Sequence, residues 1–237
     1  MTRRRWIADE FWGNFAALTG AHADHLSRVL RARLGQEFDI SAGGAVRRGR
    51  ITEIAKDRVV FELGQELVFP ALPELRLLLA IFKFDRMEWA IEKCTELGVT
   101  GIMPVIACRT DTHLAAAAGK RVERWRRLAR QAAEQSRRRA PPEIAPPRKL
   151  QEAVNLPEPT RIVLVESERQ LSLKDVIEPR RAADSLLLAV GPEGGWTEDE
   201  MGQLSGAGWI PASLGPTVLR AETAAIAATA IALAQFF

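Results

Sequence analysis

From residue 75 onward the chain alternates short apolar runs with longer stretches of helical periodicity, and this alternation restricts the fold more than any other feature. Residues 75–82 are apolar at every position except Arg76, residues 101–107 and 185–190 are nearly as apolar, and residues 161–165 form a shorter run. A strand with one face in water alternates polar and apolar side chains. Uninterrupted runs belong instead to strands covered on both faces, the pattern of a parallel sheet between helices. Between the runs, Met87, Ile91, Cys94 and Leu97 recur at helical spacing and predict a helix over 85–97, with Gly98 placed to end it. A basic helix is predicted over 122–138, stopped by Pro141-Pro142, and the proline-rich stretch to 159 reads as loop. Thr197 opens another helix, because Glu200 three residues on completes a capping box. A short strand near 209–214 precedes a final helix from about Ala221.

The first seventy residues follow a different pattern. Residues 50–54 and 58–63 read as strands with one apolar face, and Gly43-Gly44 as a turn. They predict a small β-barrel over residues 1–72, with Pro70 and Pro73 bracketing a linker to an α/β domain over 73–237. A hydrophobic fraction of 47% and a charged fraction of 27% exclude a disordered chain. Two cysteines, Cys94 and Cys108, are too few for a disulfide scaffold and fit a reducing cytoplasm. The basic start, Arg3-Arg4-Arg5, has no apolar run behind it and is not a secretory signal. The apolar segment 224–234 falls short of the roughly 20 residues that span a bilayer.

The net charge of +3 decides less than its distribution. Arg121, Arg124, Arg126, Arg127, Arg130, Arg137, Arg138 and Arg139 face only Glu123 and Glu134 within residues 121–139. From residue 191 to the end Arg220 is the sole basic residue, against Glu193, Glu198, Asp199, Glu200 and Glu222. A basic front half suits a phosphate backbone, although solvated charge is the plainer reading.

Two segments carry chemistry. Gly191-Pro192-Glu193-Gly194-Gly195 follows a buried strand and precedes a capped helix, where ligands approach the backbone in parallel sheets. It is neither a P-loop nor a dinucleotide fingerprint, so ATP and nicotinamide chemistry find no support. Leu214-Gly215-Pro216-Thr217-Val218-Leu219-Arg220-Ala221-Glu222-Thr223 repeats the strand–loop–helix arrangement. Arg220, a lone cation before an apolar helix, must be paired, with Glu222 or Glu193, or functional; Thr223 could cap the helix. His22, His25 and His113 are too scattered for a zinc site, and no metal is expected.

These segments resemble the SPOUT methyltransferases, and the whole chain resembles the ribosomal small-subunit methyltransferase E family. His25, Val29-Leu30-Arg31 and Gly35 match its N-terminal part. Lys83, Asp85-Arg86, Glu92-Lys93, Glu96-Leu97-Gly98-Val99, Pro104 and Ala133-Glu134-Gln135-Ser136-Arg137 match its central blocks. The two glycine loops complete the pattern; Ala221 departs from the expected threonine. The resemblance implies a PUA-like RNA-binding barrel followed by a domain with a C-terminal trefoil knot. It implies S-adenosylmethionine as cofactor, held by Val165, Glu166, Gly191, Pro192, Glu193, Gly194, Gly195, Leu214, Gly215, Val218 and Leu219, with Thr223 nearby. It also implies 16S rRNA of the small subunit as partner, uridine N3 as acceptor, and a homodimer.

Losing the N3 proton builds negative charge on the uracil oxygens, and Arg220 is the residue expected to bind them, oriented by Glu222. Carbon methylation would need a cysteine nucleophile, but Cys94 sits on an apolar helix face. Arg3, Arg4, Arg5, Arg28, Arg31, Arg33, Arg137 and Arg138 are the candidate RNA contacts. Two alternatives remain open: a ribose 2′-O-methyltransferase of the same superfamily, and a non-catalytic ribosome-assembly factor.

Overall fold

The computed structural model describes residues 5–69, 74–180 and 185–236. Arg3, Arg4, Pro70 and Pro73 lie outside them, as does the expected domain boundary at 72/73. The chain forms two compact units: Met1–Ala71 with Ala133–Ala140, and Leu72–Ala132 with Pro141–Phe237.

The first unit is built on β1 (Arg5–Ile7), β2 (Glu10–Trp12), β3 (Phe15–Thr19), β4 (Glu37–Ala42), β5 (Ala45–Ile54) and β6 (Arg58–Glu66), with α1 (Gly20–Asp24) and a π-helical turn at His25–Val29 after β3. The strands pair in the order β1-β4-β5-β6-β3-β2. The two outer strands are consecutive in the chain: Ala8 N donates to Ser41 O, on the β4 side, and Asp9 N donates to Ala17 O, on the β3 side. The sheet therefore curls as a half-barrel around Leu18, Leu26, Ile40, Ile51 and Phe61. Gly49 is needed where it curls, because a Cβ there would lie 2.4 Å from Ile40.

In the second unit the chain runs β7 (Glu74–Ala80), α2 (Phe84–Leu97), β8 (Gly101–Ile106), α3 (Thr112–Ala118), α4 (Val122–Gln135), β9 (Glu143–Ile144), β10 (Arg148–Lys149), α5 (Leu150–Ala153), β11 (Thr160–Leu164), α6 (Leu173–Ile177), β12 (Ser185–Val190), α7 (Glu198–Gly206), β13 (Ile210–Ala212) and α8 (Ala221–Ala234). The strands pair as β10-β8-β7-β12-β11-β13, β9 also pairs with β8, and every pairing is parallel. Alternate residues feed two cores. Leu75, Leu77, Leu79, Leu186, Leu188 and Ile162 pack with side chains of α2, α4, α6 and α8; Leu78, Ala80, Leu187, Ala189 and Val163 pack with Leu150, Leu204 and Trp209. Burial on both faces is the reason these strands read as uninterrupted apolar runs.

Two expectations are corrected. The basic helix ends at Gln135, not at 138. Arg138 N donates to Ala133 O and Arg137 N to Glu134 O, a helix-ending turn in which Arg137 takes a φ of 58°. The stretch before 159 is not plain loop: β9, β10 and α5 occupy it, each too short to leave a periodic signature. No described helix is long and apolar enough to cross a membrane.

Candidate active site

Because β11, β12 and β13 are parallel neighbours, the loops that follow them emerge at one edge of the sheet. Residues 165–167, 191–197, 213–215 and 217–219 line a cleft of about 570 Å³ there, within the range of small-molecule sites. Val165, Glu166, Gly191, Pro192, Glu193, Gly194, Gly195, Leu214, Gly215, Val218, Leu219 and Arg220 all contribute to its wall. Thr223 and Glu222 do not line it: Thr223 is exposed in the first turn of α8, and Glu222 is buried.

The glycine loop is held from outside. Arg109, on the loop after β8, donates through Nη1 to the carbonyls of Gly194 and, at 3.3 Å, of Trp196. A Cβ at Gly194 would meet Arg109 Cδ at 3.2 Å, so this glycine makes room for the arginine. Gly195 has a φ of 70°, the left-handed region where glycine carries little strain. Thr197 and Glu200 form the expected capping box. Glu200 goes further: its Oε1 accepts from Cys108 N at 2.6 Å, joining the start of α7 to the loop that carries Arg109. Trp196 Nε1 is buried in the cleft wall without a hydrogen-bond partner, a donor left for a ligand.

Arg220 is exposed, and its guanidinium makes no hydrogen bond or ion pair among the described residues. The expected pairing with Glu222 or Glu193 is not formed. Glu222 Oε1 lies 3.7 Å from Arg86 Nε instead. The reason is helical direction: Arg220 is the N-cap of α8 with extended backbone, while Glu222, inside the first turn, faces α2. Nor does Thr223 cap the helix, because Arg220 occupies the cap position without a side-chain hydrogen bond. The cleft is also less acidic than the tail of the sequence: Arg86 and Arg109 join Arg220 opposite Glu166, Glu193 and Glu198. Sequence reasoning missed Arg109 and assigned Arg86 no role, since Arg109 lies on the loop after β8 and Arg86 in the first turn of α2, both far in sequence from the glycine motifs.

Cys94 is buried, its thiol pushed up to about 12 by burial, with Thr229 Oγ1 donating to its sulfur at 3.4 Å. It is a core residue, not a nucleophile. No group of three His, Cys, Asp or Glu among the described residues could hold a metal ion.

The arginines of the first unit fall into two sets. Arg31, Arg33 and Arg137 are exposed, and Arg28 is exposed with an ion pair to Asp24 at 3.3 Å. Arg5 and Arg138 are partly buried. Arg5 donates to the carbonyl of Arg137 and lies 4.4 Å over the Phe69 ring, and burial lowers its pKa; burial pushes Arg138 down to about 10.

A parallel sheet with a glycine-walled cleft at its carboxyl edge is the architecture of an RNA methyltransferase domain, and the family model of that description matches residues 70–233. The chain is 34% identical over 223 residues to the ribosomal RNA small subunit methyltransferase E of Synechocystis sp., spanning 92% of this chain and 71% of that protein. It is 31% identical over 220 residues to the protein of the same name from Bacillus subtilis, covering 88% and 85%. The crystal structure of a ribosomal RNA small subunit methyltransferase E from Neisseria gonorrhoeae bound to S-adenosyl methionine matches with a TM-score of 0.83 at 32% identity, over 97% of this chain and 96% of that one. This chain belongs to the ribosomal RNA small subunit methyltransferase E family.

Proposed function

We propose that this protein transfers the methyl group of S-adenosylmethionine to N3 of one uridine in the 16S rRNA of the small ribosomal subunit. The observation that carries the reading is an exposed Arg220, its guanidinium unpaired among the described residues, in the wall of a cleft lined largely by three loops. The cleft fits the cofactor. Trp196 Nε1 is an orphaned donor, Gly191, Gly194, Gly195 and Gly215 keep the wall close to the backbone, and Glu166 and Glu193 suit a cationic ligand. When bound, S-adenosylmethionine supplies an electrophilic methyl group on a sulfonium.

The chain's residues do the rest. The three loops hold the donor so that the acceptor nitrogen approaches in line with the carbon–sulfur bond. The N3–C bond forms as the S–C bond breaks; the N3 proton leaves to solvent or a base, and S-adenosylhomocysteine is released. Arg220 donates to the uracil oxygens on which charge accumulates. Its lack of a carboxylate partner supports this role, because a paired guanidinium would have to give up its partner first. Arg28, Arg31, Arg33 and Arg137 are the phosphate contacts, on a half-barrel that we read as a PUA-like module at the head of a knotted methyltransferase domain; Arg3 and Arg4 belong to the same basic segment. The protein would act in the cytoplasm, where its substrate is, as a homodimer.

The test is transfer of labelled methyl from S-adenosylmethionine to unmethylated small subunits, followed by nucleoside analysis. The expected product is 3-methyluridine. Arg220→Ala is expected to lower kcat by about 100-fold while leaving cofactor affinity within a few fold. Label on ribose would replace this reading by 2′-O-methylation; absence of cofactor binding would replace it by an assembly factor.

A further inference from the structure

We propose that Arg86 is a second substrate-contacting cation, binding an RNA phosphate beside the acceptor nucleotide, and that Glu222 is the positioning residue that aims it. The proposal rests on the methyl-transfer reading above and assigns residues to its RNA side.

Arg86 sits in the first turn of α2, where the helix dipole disfavours a cation, and it lines the cleft. Its single ion pair among the described residues is with Glu222, Nε to Oε1 at 3.7 Å, longer than a hydrogen bond. No side-chain hydrogen bond engages its guanidinium among the described residues, which leaves Nη1 and Nη2 as the planar fork that pairs with phosphate.

Glu222 supplies the independent observation. It is 3% exposed, and its Oε2 is buried with no hydrogen-bond partner. A carboxylate taken so far out of water needs a cation held beside it. Arg86 is that cation: its side chain is 31% exposed and lines the cleft. Glu222 lies in the first turn of α8, the end of a helix that favours negative charge, and from there it faces the guanidinium on α2.

The sign of the ligand's charge decides which ligand Arg86 serves. S-adenosylmethionine carries a sulfonium, an ammonium and one carboxylate, a net positive charge. Arg109 is engaged with two carbonyls of the glycine loop, and Arg220 is reserved for the uracil oxygens. An additional forked cation in the same cleft repels the cofactor and attracts the polyanion that must deliver its base there.

The full-length protein with Arg86→Gln, Arg86→Lys and Glu222→Gln tests this, using unmethylated small subunits as the RNA and calorimetry for S-adenosylmethionine. Arg86→Gln is expected to lower kcat/KM for the subunits about tenfold and to reduce the slope of log affinity against log salt by about one. Its cofactor affinity should stay within twofold. Arg86→Lys should keep the salt slope but recover only part of kcat/KM, since a point charge lacks the fork. Glu222→Gln should lower kcat/KM with the salt slope unchanged, because the charge remains but loses its aim; its fold is checked by thermal melting, and Arg86→Gln carries the test if it does not fold. Unchanged RNA affinity and salt slope in Arg86→Gln would overturn the proposal. So would weakened cofactor binding, which would reassign Arg86 to the methionine carboxylate. If the wild type binds cofactor but methylates no uridine, the functional reading fails, a result distinct from equal turnover by wild type and Arg86→Gln.

Discussion

Two described residues other than glycine have positive φ, and both are arginines: Arg31 at 51° and Arg137 at 58°. Each follows a helical segment and takes the left-handed position that normally falls to glycine. At Arg31, Ala32 N reaches back to Leu26 O; at Arg137, Arg138 N reaches back to Ala133 O. An L-residue with a Cβ carries about 1 kcal/mol of strain in this conformation. Both side chains are exposed, so packing does not compensate, and a phosphate contact would explain why arginine is kept. Arg137→Gly is therefore expected to raise stability to denaturant by about 1 kcal/mol while weakening binding to small subunits. Arg137→Ala, which keeps the Cβ, should weaken binding without the gain. A glycine variant no more stable than wild type would mean that the turn is not strained. Nothing in the sequence marks these positions, because the usual signal is a glycine and none is present; this is why residues 136–138 read as helix.

At the scale of elements, the apolar runs that become β7, β8, β11 and β12 were legible because both faces of each strand are covered, and the start of α7 was legible because Thr197 and Glu200 lie three residues apart. The clamp on the glycine loop was not. Arg109 meets Gly194 across 85 residues of sequence, and Glu200 meets Cys108 across 92. Such pairings depend on β8 and β12 ending at the same edge of the sheet, which local patterns do not encode. The clamp leads to a coupled prediction. Arg109→Ala removes two hydrogen bonds from the loop and should weaken S-adenosylmethionine binding about tenfold, with kcat at saturating cofactor little changed. Gly194→Ala, whose added methyl would press on Arg109 Cδ, should weaken binding less. Combined with Arg109→Ala it should have almost no further effect, because the atom it meets is gone. Fully additive losses, measured by calorimetry on the two single variants and the double, would mean that the two residues act separately.

At the scale of the molecule, the chain visits its first unit twice: residues 133–140 belong with 1–71 although 61 residues of the other unit, Leu72–Ala132, come between. The sequence reading placed a single cut near residue 72, because composition changes there and nothing in composition marks a return. What holds the returning segment is partly ionic. His22 Nδ1 lies 3.2 Å from Asp9 and its Nε2 lies 3.2 Å from Glu134, so the ring bridges the N-terminal strand region and the returning chain. Hydrogen bonds to Asp9 first, then to Glu134, raise the pKa of His22 to about 9, against the opposing effect of partial burial. The ordinary value is near 6.5, so the unfolded chain loses this proton well before the folded one does. The stabilisation is therefore fully present below about pH 6.5 and is lost as pH rises through about 9. His22→Gln keeps a donor but removes the titration. Its melting temperature should fall below that of wild type at pH 6, and the gap should close by pH 10. A gap that stays constant over that range would mean that His22 contributes by packing against Trp6, 6.3 Å away between ring centres, and not by its charge.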